Sequence, residues 1–211
     1  MAFTMRWFAN SKAIPLAAML AVVVATAMPA EAEFRVAKIE PRVNGDLLTL
    51  DGRIDLSLSP RVEEALAKGI AMDILIDIRL YRERPWLWNE WIASWLLRRQ
   101  VRYQALTGQY LVTESNQCTP PQERCVTATG DNTGSGFGEG LESLIDTLRQ
   151  AGGLGDLRLK LPRVLGTDPG HVVELRAYLD IEALPAPLRP VAYTSADWHL
   201  NSGWTTWTLK R

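Results

Sequence analysis

Cysteine and histidine are nearly missing from this chain. Cys118 and Cys125 are its two cysteines, and His171 and His199 its two histidines. The histidines stand apart and lack the cysteine or acidic spacing of a zinc site, so no metal and no cofactor is expected. An excess of positive charge is missing too. The chain has 23 Lys+Arg against 24 Asp+Glu. Phosphate-backbone binding needs a strong basic surplus, so nucleic acid is excluded as an expected partner. No apolar run of membrane length follows the N-terminal segment, so the remaining body is expected to be soluble. Nucleophile motifs are lacking as well. Ser135 in Gly134-Ser135-Gly136 falls in a Gly-, Ser-, Thr-rich stretch over residues 129–140 that reads as a mobile loop. It is not the strand–turn–helix setting of a nucleophile elbow, nor does it have dinucleotide glycine spacing. Enzymatic activity is not expected.

What is present begins at the N-terminus. Arg6 and Lys12 precede an apolar run over residues 13–27, interrupted by Pro15 and Thr26. Pro29 and the small-x-small triplet Ala30-Glu31-Ala32 follow. This is the pattern of a secretory signal peptide over residues 1–32, cleaved before Glu33. The run is short of the roughly 20 apolar residues of a comfortable membrane span. An uncleaved anchor in the inner membrane is the alternative. Residues 33–211 then form one exported domain, long enough for a single core and expected in the periplasm.

In an oxidising compartment the pair in Cys118-Thr-Pro-Pro-Gln-Glu-Arg-Cys125 reads most simply as a disulfide closing one loop. A ring of that size contributes roughly 2.5 kcal/mol through the unfolded state. The spacing does not match a redox Cys-x-x-Cys motif.

The body is rich in alternation. Residues 34–39 alternate, and Asn44-Gly45-Asp46 marks a turn. Leu48, Leu50, Ile54, Leu56 and Leu58 continue the alternation, with Asp51-Gly52 as a bulge or tight turn. Ser59-Pro60 opens a helix whose apolar face is Val62, Ala65 and Leu66, with Gly69 just past its end. Ile74, Ile76, Ile78 and Leu80 line one face of a long strand. Over residues 91–103 the two periods compete. Trp91, Ala93, Trp95, Leu97, Val101 and Tyr103 share a face in the longer, period-two register, which favours a strand joined to residues 110–113 as a hairpin. Leu141, Leu144, Ile145 and Leu148 give a second helix, ended by Gly152-Gly153. Strands follow around residues 157–161, 173–179 and 204–209, with residues 184–190 as an extended, proline-stiffened connection. The expected fold is mainly β (α+β): a single antiparallel, sandwich-like domain of seven or eight strands with two short amphipathic helices.

Arginine and tryptophan are the candidate binding residues. Arg79, Arg82 and Arg84 follow one strand, and Arg98, Arg99 and Arg102 lie on the next. Pairing of those strands would gather the guanidinium groups beside Trp86 and Trp88, as a site for a carboxylate, a phosphate or an anionic lipid head group. The competing reading is a solvated face with ion pairs to Glu83 and Glu90. Trp91, Trp95 and Trp204 read as core. Trp86 and Trp88 follow Pro85 by one and three residues at an expected turn, and are the expected exposed contact. Asp180 and Glu182 stand two apart and would share a strand face, where a solvated strand end outweighs paired-carboxylate chemistry.

Five segments carry a family resemblance. They are Ser59-Pro-Arg-Val-Glu-Glu-Ala-Leu-Ala-Lys-Gly69, Tyr81-Arg-Glu-Arg-Pro-Trp86, Tyr103-Gln-Ala-Leu-Thr-Gly-Gln-Tyr110, Leu184-Pro-Ala-Pro-Leu188 and the closing Trp198…Ser202-Gly-Trp204. In order and spacing they resemble an exported proteobacterial family of unknown function, DUF4390. Against that family's pattern the stretch from Cys118 to Cys125 looks like an insertion. The resemblance brings no catalytic residue. It does bring an association with membrane sensor kinases of the nitrogen-regulation type, whose genes often lie nearby. The implied role is a non-enzymatic binding or adaptor module with a protein partner at the inner membrane, the sensor kinase being one guess. A carrier or sensor of a small anionic or lipidic ligand is the alternative.

Overall fold

The computed structural model describes residues 33–115, 140–166 and 169–209. Cys118, Cys125 and Ser135 lie outside these residues, as do the signal-like segment and all of the 129–140 loop except Gly140. Among the described residues, eight strands form two antiparallel sheets, within one unit spanning Ala32–Arg211. The smaller sheet holds β1 (Phe34–Asn44), β2 (Leu47–Leu56) and β6 (Leu157–Lys160), in the order β1-β2-β6. The larger holds β3 (Met72–Arg82), β4 (Glu90–Gln104), β5 (Gln109–Ser115), β7 (His171–Leu179) and β8 (Thr205–Thr208), in the order β5-β4-β3-β7-β8. It is not a closed barrel. The mainly β, antiparallel expectation holds.

Alternation decides which face of each strand is dry. Leu48, Leu50 and Ile54 of β2, Ile74, Ile76, Ile78 and Leu80 of β3, and Val173, Leu175, Ala177 and Leu179 of β7 are all buried in one cluster. Two bulges shift this alternation. On β1 the register slips at Ala37, which puts Phe34 and Ile39 in the same core despite their odd separation. The irregularity expected at Asp51-Gly52 therefore sits on the partner strand. Gly52 stays within β2 opposite Ile39, where a Cβ would fall 2.2 Å from the Lys38 carbonyl oxygen. On β4 the slip is at Ile92, with Ala93 opposite Leu80 and Trp91 opposite Tyr81.

Three α-helices are present among the described residues, one more than expected. In α1 (Pro60–Ala67), Ser59 Oγ accepts from the Val62 N–H, and Val62, Ala65 and Leu66 are buried. In α2 (Leu144–Gly152), the buried face is Thr147, Leu148, Ala151 and Gly152. Leu141 precedes this helix and bridges Tyr110, while Ile145 is exposed, so the expected stripe is displaced by part of a turn. Gly152 is required where the helix meets β2, because a Cβ there would lie 2.0 Å from the Ile54 carbonyl oxygen. The extra helix, α3 (Arg189–Thr194), replaces the extended connection expected at residues 184–190. Pro190 lies in its first turn, where a missing N–H costs nothing. A 3-10 turn at Ile181–Ala183 precedes it, capped by Asp180 Oδ1. Asp180 and Glu182 thus leave the strand and do not form the same-face pair expected of them.

Candidate binding surface

The β3–β4 hairpin carries most of the candidate residues, and its register sorts them into two groups. Arg82 pairs with Glu90 at the tip end, whereas Arg98 pairs with Leu75 and Arg102 lies beyond it. Eight residues of β4 separate Glu90 from Arg98, roughly 25 Å of strand. The gathering of all these arginines beside Trp86 and Trp88 does not occur. Arg98 instead faces Asp73 at 3.6 Å and Asp180 at 3.5 Å. Arg102 is exposed. Arg99, one residue from Arg98, points to the opposite face as period two demands. It is buried and donates from Nη1 to the carbonyls of Ala151 at 2.7 Å and Gly153 at 2.5 Å, at the C-terminus of α2. Glu114 lies 3.4 Å from its Nε. Burial pushes the Arg99 pKa down, opposed by Glu114.

At the tip the chain reverses through Arg84-Pro85-Trp86-Leu87, with the Leu87 N–H donating to the Arg84 carbonyl at 3.4 Å. Pro85 supplies the φ suited to the second turn position. The third position, Trp86, has φ 76°, in the left-handed region that such a turn normally gives to glycine or asparagine. A bulky L-residue is strained there. The three side chains at the apex are nearly bare: Trp86 is 101 % exposed, Leu87 62 % and Trp88 89 %.

Behind the apex is a collar of charge. Glu90 receives Arg82 at 2.7 Å, Arg163 at 2.8 Å and Arg84. Hydrogen bonds from Arg163 and Arg84 hold the Glu90 pKa down at about 2. The backbone fixes the collar to the larger sheet, because the Glu83 N–H donates to the Gly170 carbonyl at 2.8 Å just before β7. Beside it Arg82, Glu90, Ile92, Arg163, Val164 and His171 line an open concavity of about 210 Å³. A second, of about 350 Å³, lies where the end of β2 meets α1 and α2, and includes Arg53, Asp55, Glu63, Arg149 and the exposed Ile145. Both are surface grooves with charged walls.

The outer face of the larger sheet holds the remaining arginine. Arg79 stacks over Trp204 at 3.9 Å and lies 5.6 Å from Trp91, while Arg176 lies 4.6 Å from Trp204 and 4.5 Å from Tyr178. Asp77 sits between the two cations, 3.5 Å from Arg79 and 3.6 Å from Arg176. Burial pushes the Asp77 pKa up, against the pull of both arginines. Tyr81 continues the face: its hydroxyl donates to Glu174 at 2.8 Å, and burial with that bond pushes its pKa up to about 12. Trp91 and Trp204 therefore leave the core expected for them. The bulge at Ile92 turns Trp91 outward. For Trp204, Ser202 Oγ accepts from the Ala177 N–H, and Gly203 takes φ 65° just before it. Among the described tryptophans, Trp95 and Trp198 are buried. The ladder pairs Arg79 and Arg176 with Asp77, while the hairpin tip places three exposed apolar side chains in succession.

His171 lines the smaller concavity beside the collar, and His199 stands apart from both grooves. His171 is buried at the start of β7, and His199 is exposed with Nδ1 2.9 Å from the Ser195 carbonyl oxygen. No cluster of three metal-ligating side chains exists among the described residues. No helix among them is long and apolar enough to cross a membrane.

A family model described as a domain of unknown function, DUF4390, matches residues 31–208. No curated protein and no solved structure matches the chain.

Proposed function

We propose, for a chain that belongs to DUF4390, a non-enzymatic binding or adaptor role in the periplasm, near the inner membrane. The β3–β4 hairpin tip is its contact. One observation carries this role: Trp86, Leu87 and Trp88 stand adjacent and exposed on a turn that tryptophan strains. Exposed apolar clusters of this kind mark contact sites, and tryptophan supplies a large, rigid contact area. The N-terminal pattern of charge, apolar run and small-x-small triplet supports export. A disulfide between Cys118 and Cys125 belongs to the same compartment. The sensor kinase associated with the family is the first protein partner to test.

The test is a substitution that removes the contact and leaves the fold. Trp86→Ala with Trp88→Ala abolishes recovery of the native partner from cross-linked cells, while the melting temperature stays within about 3 °C of the original. Loss of folding instead makes these residues structural and ends the assignment.

A further inference from the structure

The hairpin tip has two zones of different chemistry, and their order along the finger is the informative point. The apex is apolar over three consecutive side chains. The zone behind it is polar, where, among the described residues, three guanidinium groups converge on the carboxylate of Glu90. Glu83 is the other acid of the loop and is exposed. Among the described side chains, the finger is thus apolar at its end, with three cations against two carboxylates behind it.

We infer that the target of the tip is a lipid bilayer surface carrying anionic head groups, with Trp86, Leu87 and Trp88 in the interface and Arg82, Arg84 and Arg163 at the phosphates. The inference rests on the role assigned to the tip above and names the chemistry it meets.

Three features favour a bilayer over a protein. The apex is a convex wedge, which a fluid interface accepts by deforming, whereas a protein partner would have to offer a matching cavity. Tryptophan suits a boundary that is dry on one side and wet on the other, because its ring is apolar and its N–H needs a partner. Arginine side chains lie along apolar surface while keeping the charged head in the polar layer. Arg84 and Arg82 of the collar stand two and four residues before Trp86. The collar's positive excess complements a negative surface, whose attraction acts within about 10 Å at ordinary salt. Glu90 keeps the guanidinium groups gathered before contact. The φ of Trp86 fits the same scheme: a glycine or asparagine would relax the turn and lose the indole at its point of greatest exposure.

The test uses the protein as the cell processes it, with lipid vesicles as the probe. One set is phosphatidylcholine alone, and the other carries about one third phosphatidylglycerol. Binding is measured by flotation and by the blue shift of tryptophan emission. The inference expects binding to the anionic vesicles that weakens with salt. It expects roughly tenfold or greater loss with Trp86→Asn and Trp88→Ser together. Arg163→Ala should lower binding to anionic vesicles and leave the neutral ones unchanged. Equal binding by the original and doubly substituted proteins overturns the inference, and so does equal binding to both lipid sets. If vesicles fail to bind but the tip still cross-links to one protein in cells, the bilayer assignment falls and the binding role stands. If both fail, both are wrong.

Discussion

Replacing Trp86 with asparagine should make the protein more stable. In the left-handed region a bulky L-residue costs about 1–2 kcal/mol, from the approach of Cβ to the following carbonyl. Trp86 sits there with φ 76°. Asparagine tolerates this region through local hydrogen bonding. The indole is fully exposed, so its removal forfeits no packing. The balance is a gain of about 1 kcal/mol, or about 2–4 °C in melting temperature for a domain of this size. Trp86→Ala is the control. It removes the same ring but keeps Cβ, so the strain remains and the change should stay within about 0.5 kcal/mol. Trp86→Gly should fall between them, because part of the relief is offset by about 0.5–1 kcal/mol of extra freedom in the unfolded chain. Calorimetric unfolding of the three variants against the original decides it. Equal melting temperatures for the asparagine and alanine variants would refute the strain. A large drop for both would mean that the indole is packed against something.

Three further outcomes follow from the rest of the molecule. Arg99→Met should lower stability by about 2–4 kcal/mol in denaturant unfolding, since it leaves two carbonyls at the end of α2 and the Glu114 carboxylate without their cation. Trp204→Ala should cost about 1–2 kcal/mol through its two cation–π contacts, and Arg79→Lys should reproduce only part of that loss. Glu90 sets an acid limit on the collar. Its folded pKa lies below the unfolded value, so its stabilising contribution is complete above the unfolded pKa of 4.5 and is lost as pH falls through about 2. Carboxyl chemical shifts followed by NMR should show Glu90 titrating at about 2, and Arg163→Ala should move its midpoint upward.

Much of the fold is legible in the chain because its strands alternate cleanly. Ile74 to Leu80 identifies β3 without help, and the Ser59-Pro60 cap with Gly69 brackets α1 closely. The errors arise where one residue shifts the phase. Trp91 reads with Trp95 as core, but the extra residue Ile92 turns it to the outer face. Ile145 shows the same sensitivity in α2: the helix begins after Ser143, and the face rotates toward Thr147 and Ala151. Proline at residues 184–190 signals a stiff chain but does not tell an extended segment from the first turn of a helix, where Pro190 lies. Within the candidate surface, Trp86 and Trp88 are readable because Pro85 marks a turn between charged strands. Arg163 is not, because it reaches Glu90 across 73 residues of sequence and no local pattern announces the contact. The pairing of Arg79 and Arg176 through Trp204 is equally hidden, as it needs β7 to lie beside β3 and β8 beside β7.

The most direct measurement is photo-cross-linking in living cells with a benzoylphenylalanine placed at Leu87, compared with one placed at the exposed Arg102 on the far end of β4. The contact role of the hairpin tip predicts covalent adducts, to envelope protein or to lipid, from position 87 and none of the same kind from position 102. Identical adduct patterns from both positions, or none from position 87, would contradict it.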